Sequence, residues 1–147
     1  MVSGRRGDSR GMNLSKPLAT GLAVSRTLFG ASYLLRPQQA RSNWIGRAAR
    51  KPGAQVMIRS QGVRDVALGA GALAAVARGD GTELRRWMIG HTVADLADLV
   101  VTWAARDDLP TRRARLAMGV AAVSTIVGGV AAATARPSGR TSAHAGA

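Results

Sequence analysis

Apolar residues gather in four segments, at about residues 17–35, 54–77, 86–105 and 114–135, separated by stretches rich in Arg, Gly and Asp. Each is close to the ~20 residues with which an α-helix crosses a bilayer. The middle of every segment is nevertheless polar: Arg26 in the first, Arg64 and Asp65 in the second, Asp95 in the third and Ser124 in the fourth. A charge at the end of a spanning helix reaches water, whereas one at its centre is costly and is either paired or used. Pro17, Pro37, Pro52, Pro110 and Pro137 all lie at or outside segment ends. Proline removes an amide and clashes with the preceding turn, so this placement predicts four helices with those limits.

Helical spacing sorts the polar residues into faces. His91, Asp95, Asp98 and Thr102 recur at intervals of four, three and four, which puts them on one side of the third helix. Ile89, Val93, Leu96 and Val100 cover the opposite side and suit lipid. Gln61, Arg64, Asp65 and Leu68 share an arc of the second helix, while Arg59 points elsewhere and lies near an end, where it can snorkel. Ala23 and Gly30 flank Arg26 on its own face and let another helix approach closely. Ala117, Ala121, Ser124 and Gly128 form a small-residue face on the fourth helix, which carries no internal charge.

Composition sharpens the choice between membrane and soluble bundle. The 147 residues correspond to one domain, 46% apolar, with a formal charge of +13. Such a charge invites a soluble, basic, nucleic-acid-binding helical protein. Against that, Arg outnumbers Lys nineteen to two, aromatics are 3%, and basic residues form no helical stripe. Of 21 Lys and Arg, only Arg26, Arg59 and Arg64 fall in the interior of an apolar segment, while Arg86 and Arg115 stand at a segment's very end. The others sit where membrane proteins meet anionic headgroups, so the expected partner is a lipid bilayer and no nucleic acid is expected. A soluble bundle needs broad polar faces, and the second half of helix two and most of helix four have none. The expected fold is all-α: an integral membrane four-helix bundle with a buried charged layer at mid-membrane. With no Cys, disulfides and thiolate chemistry are absent.

Residues 17–136 form the expected transmembrane domain, between disordered basic residues 1–16 and a disordered tail, 137–147. Residues 36–53 read either as an interfacial helix, with Ala40, Trp44, Ile45 and Ala48 near one face, or as a basic loop. Nine Lys and Arg fall on each side of a four-span arrangement, so the positive-inside rule does not orient it. A start at Met12 would make the count six against nine and favour termini outside.

The charged layer consists of Arg26, Arg64, Asp65, Asp95 and Asp98, with His91 beside it. At ~3 kcal/mol per central charge, five unpaired ions would cost about 15 kcal/mol, so they should face one another. The planar forks of Arg26 and Arg64 suit carboxylates, and each should reach an Asp of helix three. A structural ion-pair network is the simplest role, in a module that meets a second copy of itself or another membrane protein. A proton or ion relay through Asp95, Asp98 and His91 is the alternative. A metal on those three residues would come from one helix and face two arginines, so no metal or other cofactor is expected. An acidic lipid on Arg26 and Arg64 would compete with the aspartates. A Ser–His–Asp set would need Ser124 near His91 and lacks a nucleophile elbow, so no catalytic residue is assigned.

Three stretches carry a family resemblance: residues 26–30 (RTLFG), residues 61–65 (QGVRD) with Leu68-Gly69, and residues 87–98 from Trp87 through His91 and Asp95 to Asp98. The chain resembles, over roughly residues 18–135, a domain-of-unknown-function family of small four-helix bacterial membrane proteins, mostly actinobacterial. The resemblance implies a multi-pass protein of the bacterial inner membrane and no known activity.

Overall fold

The computed structural model describes residues 15–39, 45–109 and 111–135. Four long helices dominate: α1 (Ser15–Leu35), α2 (Pro52–Arg78), α3 (Gly81–Ala104) and α4 (Thr111–Thr134), with a 3₁₀ turn at Gly46–Arg50. There is no strand among the described residues. Most of residues 1–16, the 137–147 tail, and Ala40 and Trp44 lie outside the described set.

Local chemistry explains the helix limits. Pro52 opens α2 at a position where its missing amide costs nothing. Gly79 closes α2 at φ +66°. Its amide donates to the Val76 carbonyl and the Asp80 amide to the Ala75 carbonyl, both at 3.1 Å, which is a Schellman ending. Asp80 then caps α3, accepting from the Glu83 amide at 3.0 Å. The cap starts α3 at Gly81, five residues before the apolar segment begins, because a capped polar turn is helical without being apolar. In the connection between α1 and α2, Gly46 and Ala49 are buried while Ala48 is exposed. That three-residue interval follows from 3₁₀ geometry, while Ala40 and Trp44 of the interfacial-helix alternative lie outside the described residues.

The helices form a ring in which each touches its neighbours, α1 with α2 and α3 with α4 most extensively. Glycine sets the α1–α2 separation. A Cβ on Gly30 would lie 2.7 Å from the Gly62 carbonyl oxygen, and one on Gly62 would lie 2.8 Å from that of Gly30. A Cβ on Gly69 would meet the Ala23 carbonyl at 2.6 Å and the Thr27 hydroxyl. Ala23 and Gly30, like Gly62 and Gly69, are seven residues apart, so the small residues stay in one seam. Between α3 and α4, Gly128 packs against Thr92; between α2 and α3, the Trp87 ring covers Gly71.

The distribution of side-chain size is inverted relative to a water-soluble bundle. Of thirteen buried hydrophobic residues among those described, ten are Ala, the others being Ile58, Leu84 and Met88. The nineteen exposed large hydrophobics among the described residues come from all four helices and include Leu28 and Phe29, Val63, Val93 and Val100, and Val120 and Ile126. Basic residues collar both ends: Lys16, Arg78, Arg85 and Arg86 at one, Arg36, Arg47, Arg50, Lys51, Arg106, Arg112 and Arg115 at the other, all exposed. By length and composition, however, only α1 (Lys16–Leu35) and α4 (Arg115–Thr134) are candidate spans among the described residues. Of the four spans expected, these two meet that test. The charges inside α2 and α3, and the polar first turns of α3, remove the other two from the set.

Candidate functional site

Three helices deliver charge to the middle of the ring. Arg26 comes from α1, Arg64 and Asp65 from α2, Asp95 and Asp98 from α3. Close approach at the Gly30–Gly62 crossing matters here, because a Cβ on Gly30 would also lie 3.0 Å from the Asp65 Cβ. With no side chain between the backbones, Arg26 reaches across α2 to α3.

The five ions form one alternating string. Arg26 donates to Asp95 Oδ1, and its other terminal nitrogen lies 3.5 Å from Asp65 Oδ1. The same Asp65 oxygen lies 3.4 Å from Arg64 Nη2. Arg64 then grips Asp98 with both terminal nitrogens, at 2.8 Å to Oδ2 and 3.3 Å to Oδ1. The order is Asp95, Arg26, Asp65, Arg64, Asp98, with a carboxylate at each end and Asp65 shared between the guanidiniums. Alternation places every cation between two anions, which is the arrangement a low-dielectric interior demands.

The two ends differ in setting. Arg26, Asp65 and Asp95 are buried, with 8%, 6% and 5% of their surface exposed. Arg64 and Asp98 keep 36% and 22% of their side-chain surface. At the sealed end Asp95 Oδ2 is buried without a hydrogen-bond partner. His91, one turn away beside the Leu68 backbone, is fully buried, and neither ring nitrogen makes a hydrogen bond of ordinary geometry. The structure therefore buries His91 near the string without joining it to Asp95, Asp98 or Ser124.

Two cavities meet at the open end. One, of about 710 Å³, lies between the first half of α2 and the last half of α3, lined by Met57, Ile58, Arg64, Asp98 and Val101 among others. The other, of about 90 Å³, lies between the string and α4, reaching Arg26, Asp65, Asp95, Asp98 and Ser124. Gln61 and Asp98 line both and form the wall between them. Gln61 Nε2 donates to Asp98 Oδ2 at 2.9 Å, so this carboxylate oxygen is held twice. Thr102 turns back to the Asp98 carbonyl at 2.6 Å.

Ala23, fully buried, and Gly30 take their places in the α1–α2 seam; Gly128 packs on α3, and Ser124 faces the small cavity. Helical spacing did not single out Gly62 and Gly69, the other half of that seam, although their seven-residue interval matches that of Ala23 and Gly30. Nor did it single out Gln61 as an Asp98 partner. Among the described residues no three His, Asp or Glu side chains converge as metal ligands do.

The model of the family described as "Domain of unknown function (DUF4267)" matches residues 23–135, which include the whole string and both halves of the glycine seam. The chain belongs to that family. No curated protein and no solved structure matches it.

Proposed function

We propose that this chain is a multi-pass protein of the bacterial cytoplasmic membrane, a four-span bundle acting as a structural or interaction module held by its Arg–Asp string. One observation carries the reading: between the basic collars the large side chains face outward, and the buried hydrophobics are mostly alanine. Water would drive that arrangement the other way, since exposing nineteen large apolar side chains forfeits the main favourable contribution to folding. In lipid, helix association rests on close packing of small residues and on satisfied polar groups. The glycine seam and the string supply both. α2 and α3 gain entry as partners of α1 and α4, because their charges are matched before they meet lipid. Arg59, exposed among Val56, Met57 and Val63, lies near the collar and can extend its head toward it. The collars suit anionic headgroups on both faces. Their division between two ends, with no single basic groove, favours lipid over nucleic acid as the partner.

Membrane fractionation tests this reading. Recovery in the pellet after alkaline carbonate washing, with release only by detergent, is the expected result. Recovery in the soluble fraction without detergent would overturn it.

A second reading, a proton- or ion-coupled component, is favoured by the partnerless Asp95 Oδ2 and by the 90 Å³ cavity that reaches it. Such a space holds about two or three waters at ~30 Å³ each, enough to relay a proton between Asp95 and Asp98. The string has three carboxylates for two guanidiniums, and a proton on Asp95 would balance it. If Asp95→Asn keeps normal abundance and abolishes a pH-driven dye response in proteoliposomes, this reading prevails. An unchanged response removes it.

A further inference from the structure

The 710 Å³ cavity between α2 and α3 has a size typical of ligand pockets, and the string alone does not account for it. Its walls are apolar, from Met57 and Ile58 on one side to Val101 on the other. Polar groups cluster at the string end, where Gln61, Arg64 and Asp98 converge. Ile45 and Leu109, in the two connections at the other end of the bundle, mark how far it extends. From Ala54 to Arg64 the cavity follows α2 for ten residues, or about 15 Å. This is an elongated apolar slot with one polar end.

The charges at that end define what fits. Arg64 is half-exposed yet already engaged by both oxygens of Asp98 and by Asp65. Asp98 is held by Arg64 and Gln61. An anionic head placed on Arg64 would approach two carboxylates already in place and find no cation of its own. A cationic head placed on Asp98 would have to displace or neighbour the guanidinium. An anion would thus add to an existing excess of carboxylate, and a cation would sit against the Arg64 guanidinium, 2.8 Å from Asp98. An uncharged head avoids both. Its oxygen can accept from the Arg64 guanidinium, and a hydroxyl can also donate to Asp98.

We propose that the α2–α3 cavity binds a neutral amphiphile, with a hydroxyl- or carbonyl-bearing head on Arg64, Asp98 and Gln61 and a linear apolar tail along Met57, Ile58 and Val101. The proposal rests on the membrane reading above, since the bilayer is the phase that supplies such molecules and receives their tails.

Three photoreactive probes sharing a dodecyl tail and differing only in the head (alcohol, carboxylate, trimethylammonium) test it on detergent-purified full-length protein, with adducts mapped by mass spectrometry. The alcohol is expected to label the stretch around Met57 or Val101 saturably, and about tenfold more than either charged probe. Ala97→Phe, which fills the slot, should remove that labelling while the thermal transition is retained; Val101→Phe serves if the first variant does not fold. Asp98→Asn frees the Arg64 guanidinium and should raise labelling by the carboxylate probe about tenfold. Equal labelling by all three heads overturns the proposal. So does labelling that survives a folded slot-filling variant, or a head preference unchanged by Asp98→Asn. Carbonate washing is scored separately, so failure of the membrane reading and failure of the ligand site are told apart.

Discussion

Arg26 and Arg64 occupy the same string, one shared carboxylate apart, and experience opposite surroundings. Arg26 is buried by the Ala23–Gly30 face of α1 and the glycine seam of α2 and borders the small cavity, while Arg64 is partly exposed and looks into the large one. Both have an Asp of α3 as principal partner. What differs is the backbone around them, since α1 and α2 touch through glycine whereas α2 and α3 part below the Trp87–Gly71 contact. One ion pair is thus buried between closely packed helices, and its twin is left partly exposed beside a cavity. Charge at the centre of an apolar bundle does not specify a role; the packing of small residues beside it does.

The largest expected effect lies at the sealed end. Arg26→Leu leaves Asp65 without one of its two cations and Asp95 without its main one, both still buried. It should cost about 3–5 kcal/mol, read as lost abundance or a lowered midpoint of unfolding in mild detergent. Adding Asp95→Leu to that variant should restore part of the loss. A near-normal midpoint for the single variant would mean that the sealed end is not sealed.

Next come the glycines that create the difference. Gly62→Ala puts a methyl group 2.8 Å from the Gly30 carbonyl oxygen, where only a backbone shift relieves it. The expected cost is about 1–3 kcal/mol, typical of overpacking. Gly21, with nothing within 4 Å of its Cβ position, is the control. There Ala should be neutral or stabilise by up to about 1 kcal/mol, since alanine is the better helix former. Similar losses at the two positions would point to helix propensity rather than the seam.

Arg64→Gln should be milder than Arg26→Leu, because Gln keeps a donor toward Asp98 and Asp98 keeps its bond from Gln61. Smaller still is Arg106→Gln at the collar. The Arg106 guanidinium lies 4.5 Å from the centre of the exposed Trp103 ring, a contact worth under about 1 kcal/mol. A loss there as large as at Arg26 would place the stabilising charge in the collars instead of the string.

Much of this difference was not readable along the chain. Three- and four-residue spacing brought Arg26, Arg64, Asp65, Asp95 and Asp98 to faces that can meet, because helical geometry is local and needs no tertiary knowledge. The proline positions marked helix limits for the same reason. The glycine seam was half visible to spacing: Ala23 and Gly30 stood out beside Arg26, whereas Gly62 and Gly69 showed only within the family resemblance and not as a packing face. The early start of α3 depends on the Asp80 cap, which an apolar pattern does not register. Exposure of Arg64 and Asp98 comes from α2 and α3 diverging, a tertiary property with no periodic signature. His91 shows the converse: it shares a helical face with Asp95 and Asp98, yet neither of its ring nitrogens bonds to a carboxylate.

The most direct measurement is a pair of double-mutant cycles on the purified full-length protein, Arg26/Asp95 and Arg64/Asp98, each residue replaced by an uncharged neighbour in size. A coupling energy above about 3 kcal/mol is expected for the first pair and a smaller one for the second, whose Asp98 is also held by Gln61. Equal couplings, or the reverse order, would contradict the division of the string into a sealed end and an open one.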